Sequence, residues 1–430
     1  MADTIFALAS GSGRAGVAVI RVSGPASLDA LRALLAGGSV PRYREAALRG
    51  LYDGDGQLVD ESLVLAFEEG KSFTGEVSVE LQCHGSPAVV AKLMDLLAAL
   101  PDVRIAESGE FTRRALYNGR LDLTQVEALG ELISAESEAQ RKLAMSLYSG
   151  GLSEKLMAVR EHLLTGVALL EATIDFSDEE LPDGLLEQVA SELELAEKEV
   201  KGLLKGASSA QRVAQGFEVA LVGRPNVGKS SLLNWIVGDD AAIVTPVAGT
   251  TRDALECRVL LGDQLVTFVD TAGLRDSEDA IEKEGMRRAV ERGKRADVCL
   301  VLNDGTGMPD GLDADLDFVE VQSKTDLRPG IVGISVVDGT GVSELLASVT
   351  DRLNARARGA SLVASKRQEE GLRGCAEALE RGLMGLRNGL ATELVAEDVR
   401  EGIRAVEQTL GKIGVEDVLG KVFSSFCIGK

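Results

Sequence analysis

The sequence predicts a multidomain α/β protein: an α+β domain at the N-terminus, then a helical domain into which an α/β domain is inserted. Three observations carry this. Residues 217–355 alternate strand-like and helix-like runs, the pattern of a sheet covered by helices. Helical tracts flank them, residues 119–216 before and 356–430 after. Isolated helices gain most of their stability from packing, and insertion at a surface loop is well tolerated, so the two tracts are expected to pack as one domain around the insert. Residues 1–118 instead mix short β-type runs with turns.

In the first domain, Val17–Val22, Leu63–Phe67 and Val77–Leu81 read as strands and Pro87–Leu100 as a helix. Near residue 120 the character changes. Thr124-Gln125-Val126-Glu127 fits a capping box, and helix is expected to about Leu170. Ile174–Pro182 breaks it. Helix resumes from Leu185 to Leu204, with apolar residues at helical spacing in a charged background.

Composition narrows the function. The 430 residues exceed one ordinary domain, and a 45% hydrophobic content with only 3% aromatics implies cores of Leu, Val, Ala and Ile. Against 46 Lys and Arg stand 68 Asp and Glu, a net charge of −22. Such a surface repels polyphosphate backbones at long range, so a nucleic-acid substrate needs a local basic patch or a partner protein. The cysteines (83, 257, 299, 375, 427) are scattered and the only histidines are His84 and His162, which supports neither a zinc site nor a disulfide framework. No basic leader and no long uncharged apolar run is present, so a soluble cytoplasmic protein without a membrane segment is expected.

The chemistry lies in Gly223-Arg224-Pro225-Asn226-Val227-Gly228-Lys229-Ser230, between the apolar run Val219–Val222 and a helix starting at Ser231. Strand, glycine-rich turn and helix wrap nucleotide phosphates: backbone N–H groups face the oxygens, Lys229 reaches the outer phosphates, and the Ser230 hydroxyl ligates magnesium. A second strand-like run, Leu265–Val269, ends in Asp270-Thr271-Ala272-Gly273. Its acid can reach the magnesium, and Gly273 can offer its N–H to the terminal phosphate. Between them Ala248–Asp253 reads as a switch-like loop, with Thr251 as the other hydroxyl ligand for magnesium. In Ser323-Lys324-Thr325-Asp326 the Asp326 carboxylate can accept from guanine N1–H and the 2-amino group, which adenine cannot match. Ser323 stands where guanine-specific enzymes usually have Asn, which predicts a looser grip with GTP specificity retained. A P-loop GTPase (Ras-like α/β) domain is thus expected. Leu274 occupies the position where a Gln would orient water, so another group must do so. Candidates are Asp276, Glu278, Asp279, Glu282 and Glu284. Asn226 carries a side-chain carbonyl suited to a cation near the transferring phosphoryl group.

These motifs, with Gly13–Gly24, Ser72-Phe73-Thr74-Gly75-Glu76, Glu80–Gly85, Gly109–Ala115, Asn118–Leu123 and Cys427-Ile428-Gly429-Lys430, resemble the MnmE (TrmE) family of tRNA-modification GTPases over essentially the whole chain. The resemblance implies an N-terminal dimerisation domain binding a one-carbon folate, 5,10-methylenetetrahydrofolate or 5-formyltetrahydrofolate, through Arg21, Glu80, Arg120 and Lys430. Read alone, Arg21 and Glu80 are a surface base and acid. Cys427 is a possible functional cysteine. The family implies potassium held by Asn226, Thr245, Val247 and Thr250 as G domains pair, with Glu282 organising the water. Nucleotide contacts carried over are Gly223, Asn226 to Ser231, Asp270 to Gly273, Lys324, Asp326 and Ser335. It further implies a homodimer acting with the flavoprotein MnmG (GidA) in a heterotetramer or larger complex. FAD belongs to that partner, and the substrate is the wobble uridine of tRNA. Ser323, the Ser335-Val336 pair and a short interval from Asp297 to Lys324 depart from the family pattern. The competing readings are an RNA-binding assembly switch, disfavoured by the acidic charge, and a signalling dimer without turnover, disfavoured by Asn226 and Glu282.

Overall fold

The computed structural model describes residues 3–175, 184–238, 255–270, 287, 290–308, 318–413, 420, 423 and 429. The chain forms two compact units, Met1–Gly130 with Glu407–Lys430, and Glu131–Val406.

The first unit is built on β1 (Thr4–Leu8), β2 (Ala15–Ser23), α1 (Ser27–Leu34), β3 (Ala47–Tyr52), β4 (Leu58–Phe67), β5 (Ser78–Gly85), α2 (Pro87–Ala98), β6 (Val103–Ile105) and α3 (Glu110–Tyr117). Its sheet runs β3-β4-β5-β2-β1-β6, antiparallel except for β1 beside β6. Side chains alternate across a strand. One face therefore buries Ile20, Val22, Val64, Val79 and Leu81 with Leu31 and Leu34 of α1 and Leu93 and Leu97 of α2. The opposite face carries Arg21 directly across from Glu80. Strands β1, β3 and β6 went unrecognised in the sequence; β6 is three residues long and β3 holds Arg49 and Gly50 in its middle.

Helix α4 (Leu123–Ser134) starts with a capping box two residues earlier than the expected one. Asp122, not Thr124, is the cap: its carboxylate accepts from the Gln125 N–H at 3.0 Å, and the Gln125 side chain accepts from the Asp122 N–H at 3.1 Å. The Thr124 hydroxyl donates to that carboxylate at 2.6 Å. An ionised carboxylate is the stronger acceptor at a helix N-terminus, which decides the register.

The second unit continues with α5 (Glu138–Tyr148), α6 (Gly151–Asp175), α7 (Leu185–Lys205), α8 (Ala207–Gln215), β7 (Phe217–Val222), α9 (Lys229–Gly238), β8 (Leu255–Leu261), β9 (Gln264–Asp270), β10 (Val298–Asn303), β11 (Phe318–Gln322), α10 (Val342–Ala357), α11 (Lys366–Arg387) and α12 (Thr392–Leu410). The helices before and after the α/β segment pack together. Leu193 of α7 lies against Gly166 of α6 and Gly382 of α11, and Gly402 of α12 lies against Leu163 and Ala378. Small residues let these backbones approach closely. The chain enters and leaves the α/β segment at one place: the Ser361 N–H donates to the Gly206 carbonyl at 3.1 Å, and a Cβ on Gly206 would collide with the Gly359 carbonyl.

The inserted sheet runs β11-β10-β7-β9-β8, parallel except for β8 beside β9. Its core joins Val219, Leu221, Phe268 and Leu300 to Leu232 and Ile236 of α9 and Val349 and Leu353 of α10. Helix α5 lends Ala139 and Leu143 to that core, and the Ala139 N–H donates to the Asp263 carbonyl at 3.0 Å. The C-terminal ends of the parallel strands, where ligands bind in open α/β sheets, are Val222, Asp270, Asn303 and Gln322. Among the described residues no helix is long and apolar enough to cross a membrane.

Candidate functional site

Strand β7 ends at Val222 and α9 begins at Lys229, with the glycine-rich turn between them. Gly223 is required by proximity: a Cβ there would lie 2.6 Å from the Leu302 carbonyl oxygen and 2.9 Å from Val227 Cγ2. Asn226 is exposed and left-handed at φ 62°, a conformation Asn tolerates better than most residues. Lys229 is only 4% exposed. Its ammonium donates to the Gly223 and Arg224 carbonyls at 2.7 and 2.9 Å. Burial lowers its pKa, against the pull of the Asp270 carboxylate. Ser230 Oγ donates to Asp270 Oδ2 at 2.6 Å, and Asp270 is buried at the end of β9. Adjacent hydroxyl and carboxylate oxygens form a donor set that fits a hard divalent cation such as magnesium. Ser231 is exposed one residue further along α9.

The end of β11 joins this loop. Ser323 is buried, and its hydroxyl donates to the Val227 carbonyl at 2.7 Å. Lys324 is left-handed at φ 54°, and its ammonium meets Asp304 at 2.8 Å. Hydrogen bonds from Lys324 and Thr306 hold the Asp304 carboxyl down at about 2. Asp326 is exposed in the turn Thr325–Leu327. Ser335 is buried; its N–H donates to Thr340 O at 2.9 Å and its Oγ accepts from the Val337 N–H at 3.3 Å. The Ile334 N–H donates to the Gln322 carbonyl at 2.7 Å, tying this loop to the end of β11. Arg328 was not singled out in the sequence. Its guanidinium donates to the carbonyls of Ser323 and Asn303 and to Gln322 Oε1. A lone arginine in a polar loop offers no sequence signal of that role.

A second constellation lies in the first unit. Arg21 and Glu80 form a 2.9 Å ion pair, each 20% exposed, rather than the free surface base and acid their residue types suggest. The Arg21 guanidinium lies 5.1 Å from the Phe73 ring centroid and 5.7 Å from that of Phe111. Phe73 sits in a fixed loop: Ser72 Oγ donates to Glu76 O at 2.6 Å and Asn118 Nδ2 to Thr74 O at 2.7 Å. The stem of Arg120 covers Gly75, where a Cβ would lie 3.2 Å from Arg120 Cγ. Beneath the loop, buried Arg114 binds Glu76, Glu110 and both the carbonyl and carboxylate of Asp3. Gly429 rests on β1, where a Cβ would collide with the Leu8 carbonyl; the preceding residue, Ala7, pairs with Arg21.

Comparison with known proteins fits this layout. Residues 4–120 match the family model described as the GTP-binding protein TrmE N-terminus, and residues 123–427 match the MnmE helical domain. Curated relatives called tRNA modification GTPase MnmE are similar over their whole length. Those of Dinoroseobacter shibae and Cereibacter sphaeroides are 46% and 47% identical across all of both chains. That of Paracoccus denitrificans is 46% identical, again over all of both. The chain belongs to the MnmE family.

The structure places the expected MnmE nucleotide residues Gly223, Asn226, Val227, Gly228, Lys229, Ser230, Ser231 and Asp270 around one turn, with Lys324, Asp326 and Ser335 along the same sheet edge. Thr245, Val247, Thr250, Thr251, Thr271, Ala272, Gly273, Leu274, Glu282, Cys427 and Lys430 lie outside the described residues, as does part of the interval from Asp297 to Lys324. Phe73, Phe111 and Arg114, quoted in the sequence only as motif members, are what surrounds and supports Arg21.

Proposed function

We infer that this chain hydrolyses GTP in the service of tRNA modification, converting carbon 5 of the wobble uridine (position 34) to an aminomethyl or carboxymethylaminomethyl form. One observation carries the GTPase half: Lys229, Ser230 and Asp270 converge beside a glycine-rich turn at the C-terminal ends of parallel strands. The tRNA half is supported by likeness to tRNA modification GTPases over the full length of the chain.

In this reading Lys229 exchanges two loop carbonyls for phosphate oxygens, and Asp326 selects guanine. Ser230, Asp270 and Thr251 would hold magnesium, and Asn226, Thr245, Val247 and Thr250 potassium; when bound, these cations neutralise charge developing on the phosphates. Glu282 orients the attacking water, the task Leu274 cannot perform. Arg21, Glu80, Arg120 and Lys430 hold the one-carbon folate, whose glutamate tail and pterin edge suit basic and acidic partners. The protein works in the cytoplasm as a homodimer with the flavoprotein MnmG, which carries FAD and much of the tRNA grip. GTP hydrolysis draws the paired G domains together and apart.

GTP turnover is expected to be several-fold faster in potassium than in sodium, motivated by the exposed, left-handed Asn226; equal rates would remove the potassium assignment. The test of the whole reading is nucleoside analysis of bulk tRNA from a deletion strain of the host. Loss of the wobble-uridine modification is expected, and an unchanged profile in a strain with no second copy would overturn it.

A further inference from the structure

We propose that this chain binds guanine nucleotides without a hydrogen-bond donor to the base's N7, because Ser323 has no second hydrogen to offer. It therefore accepts bases altered at N7 that an asparagine at the same place would discriminate against. The inference rests on the guanine-nucleotide reading above and goes beyond it.

Guanine presents N1–H and a 2-amino group on one edge and the acceptors O6 and N7 on another. With the first edge on Asp326, the five-membered ring turns toward the phosphate loop. Ser323 stands there, between that loop and the Thr325–Leu327 turn, bonded to Val227. A serine carries a single O–H, whereas an asparagine amide has two N–H donors. The Ser323 hydrogen is engaged with the Val227 carbonyl at 2.7 Å, and the residue is 3% exposed. Its backbone N–H is engaged with the Asn303 carbonyl at 2.9 Å. The neighbouring cations are held elsewhere: Lys324 meets Asp304, and the two terminal nitrogens of Arg328 meet Ser323 O, Asn303 O and Gln322 Oε1. The Arg328 Nε, unpartnered among the described residues, is buried away from the surface a base would reach. Two separable tasks fall to a residue at this position, anchoring the phosphate loop and donating to the base. Ser323 performs the first. Arg328 reinforces it by clamping the ends of β10 and β11. The second is left undone.

The experiment is equilibrium binding of GDP, 7-deaza-GDP (a C–H in place of N7) and ADP to the full-length chain. GDP is expected to bind far more tightly than ADP, and GDP and 7-deaza-GDP within about twofold of each other. The variant Ser323→Asn is expected to favour GDP over 7-deaza-GDP by about three- to tenfold, the range of one neutral hydrogen bond. A preference of that size in the unmodified chain, or an unchanged ratio in Ser323→Asn, overturns the proposal. Should that variant fail to fold, Ser323→Ala decides: both nucleotides should weaken by one common factor through loss of the loop anchor, and unequal weakening overturns the proposal. No preference for GDP over ADP would overturn the guanine reading itself, and the proposal with it.

Discussion

Lys229→Ala is expected to lower GTP turnover by about a hundredfold or more, the scale of removing a charge that stabilises the transition state, while leaving the chain folded. The ammonium is buried and, among the described residues, bonds the Gly223 and Arg224 carbonyls and feels the Asp270 carboxylate. The bond to the Gly223 carbonyl is buried and that to Arg224 half-buried, so losing the donor costs stability about 1–3 kcal/mol, well short of unfolding a domain of this size. Phosphate transfer has much to lose, because no other described cation points into the turn's mouth from α9: the first turn of that helix holds Lys229, Ser230 and Ser231. Steady-state phosphate release, with thermal melting as the control for folding, checks this. Turnover within tenfold of the unmodified chain would take Lys229 out of the catalytic machinery.

The second large effect concerns stability. Arg114→Met is expected to destabilise the first unit by about 3–5 kcal/mol, the cost of breaking a buried ion pair from one side. Arg114 is 1% exposed and Glu110 is fully buried, 3.0 Å away, with Glu76 and Asp3 on the same guanidinium. Methionine fills the space and bonds none of them. The Phe73 loop should loosen along with Glu76, so one-carbon folate binding should fall as well as the denaturant midpoint. A loss of unfolding free energy below about 1 kcal/mol would mean that water reaches these carboxylates. The same cluster sets the acid limit. Burial by itself pushes the Glu110 carboxyl up, but hydrogen bonds from Arg104, the Glu107 N–H and Arg114 outweigh it and hold it at about 2, against 4.5 for an ordinary glutamate. A folded value below the unfolded one means that the contribution is complete above about pH 4.5 and is lost as pH falls toward 2. Acid titration of stability should show that loss in the unmodified chain and a shallower one in Arg114→Met.

What could be read from the sequence follows from how local each signal is. The phosphate turn was legible because strand, turn and helix are contiguous, and Lys229 and Ser230 answer to neighbours within a few residues or to one acid at the end of β9; the Leu302 carbonyl that also demands a glycine at 223 needed the fold. Packing of the two helical tracts was legible from their need for a partner. The Asp122 cap was missed because Thr124 and Glu127 offer the same spacing, and only acceptor strength separates the two registers. Strands β3 and β6 were missed because their pairing, not their composition, makes them strands. Arg21 read as a surface base because the two rings beside it come from positions 73 and 111, and Arg328 was silent because its three acceptors are gathered by the sheet. Ser323 was visible as a departure, but its bond to Val227 spans 96 positions and needed the fold.

The contact between Gly429 and Leu8 sets an order of events during synthesis. The first unit takes its material from two stretches far apart along the chain, Met1–Gly130 and Glu407–Lys430. At roughly 5–20 residues per second, a ribosome needs on the order of 15–55 seconds to translate the stretch between them. Throughout that interval the first unit lacks its second stretch, residues 407–430, while the second unit is being made and can close on itself. The nascent protein therefore acquires a nucleotide-binding domain before its first domain is whole, and a stalled or prematurely released chain would carry the former without a finished latter.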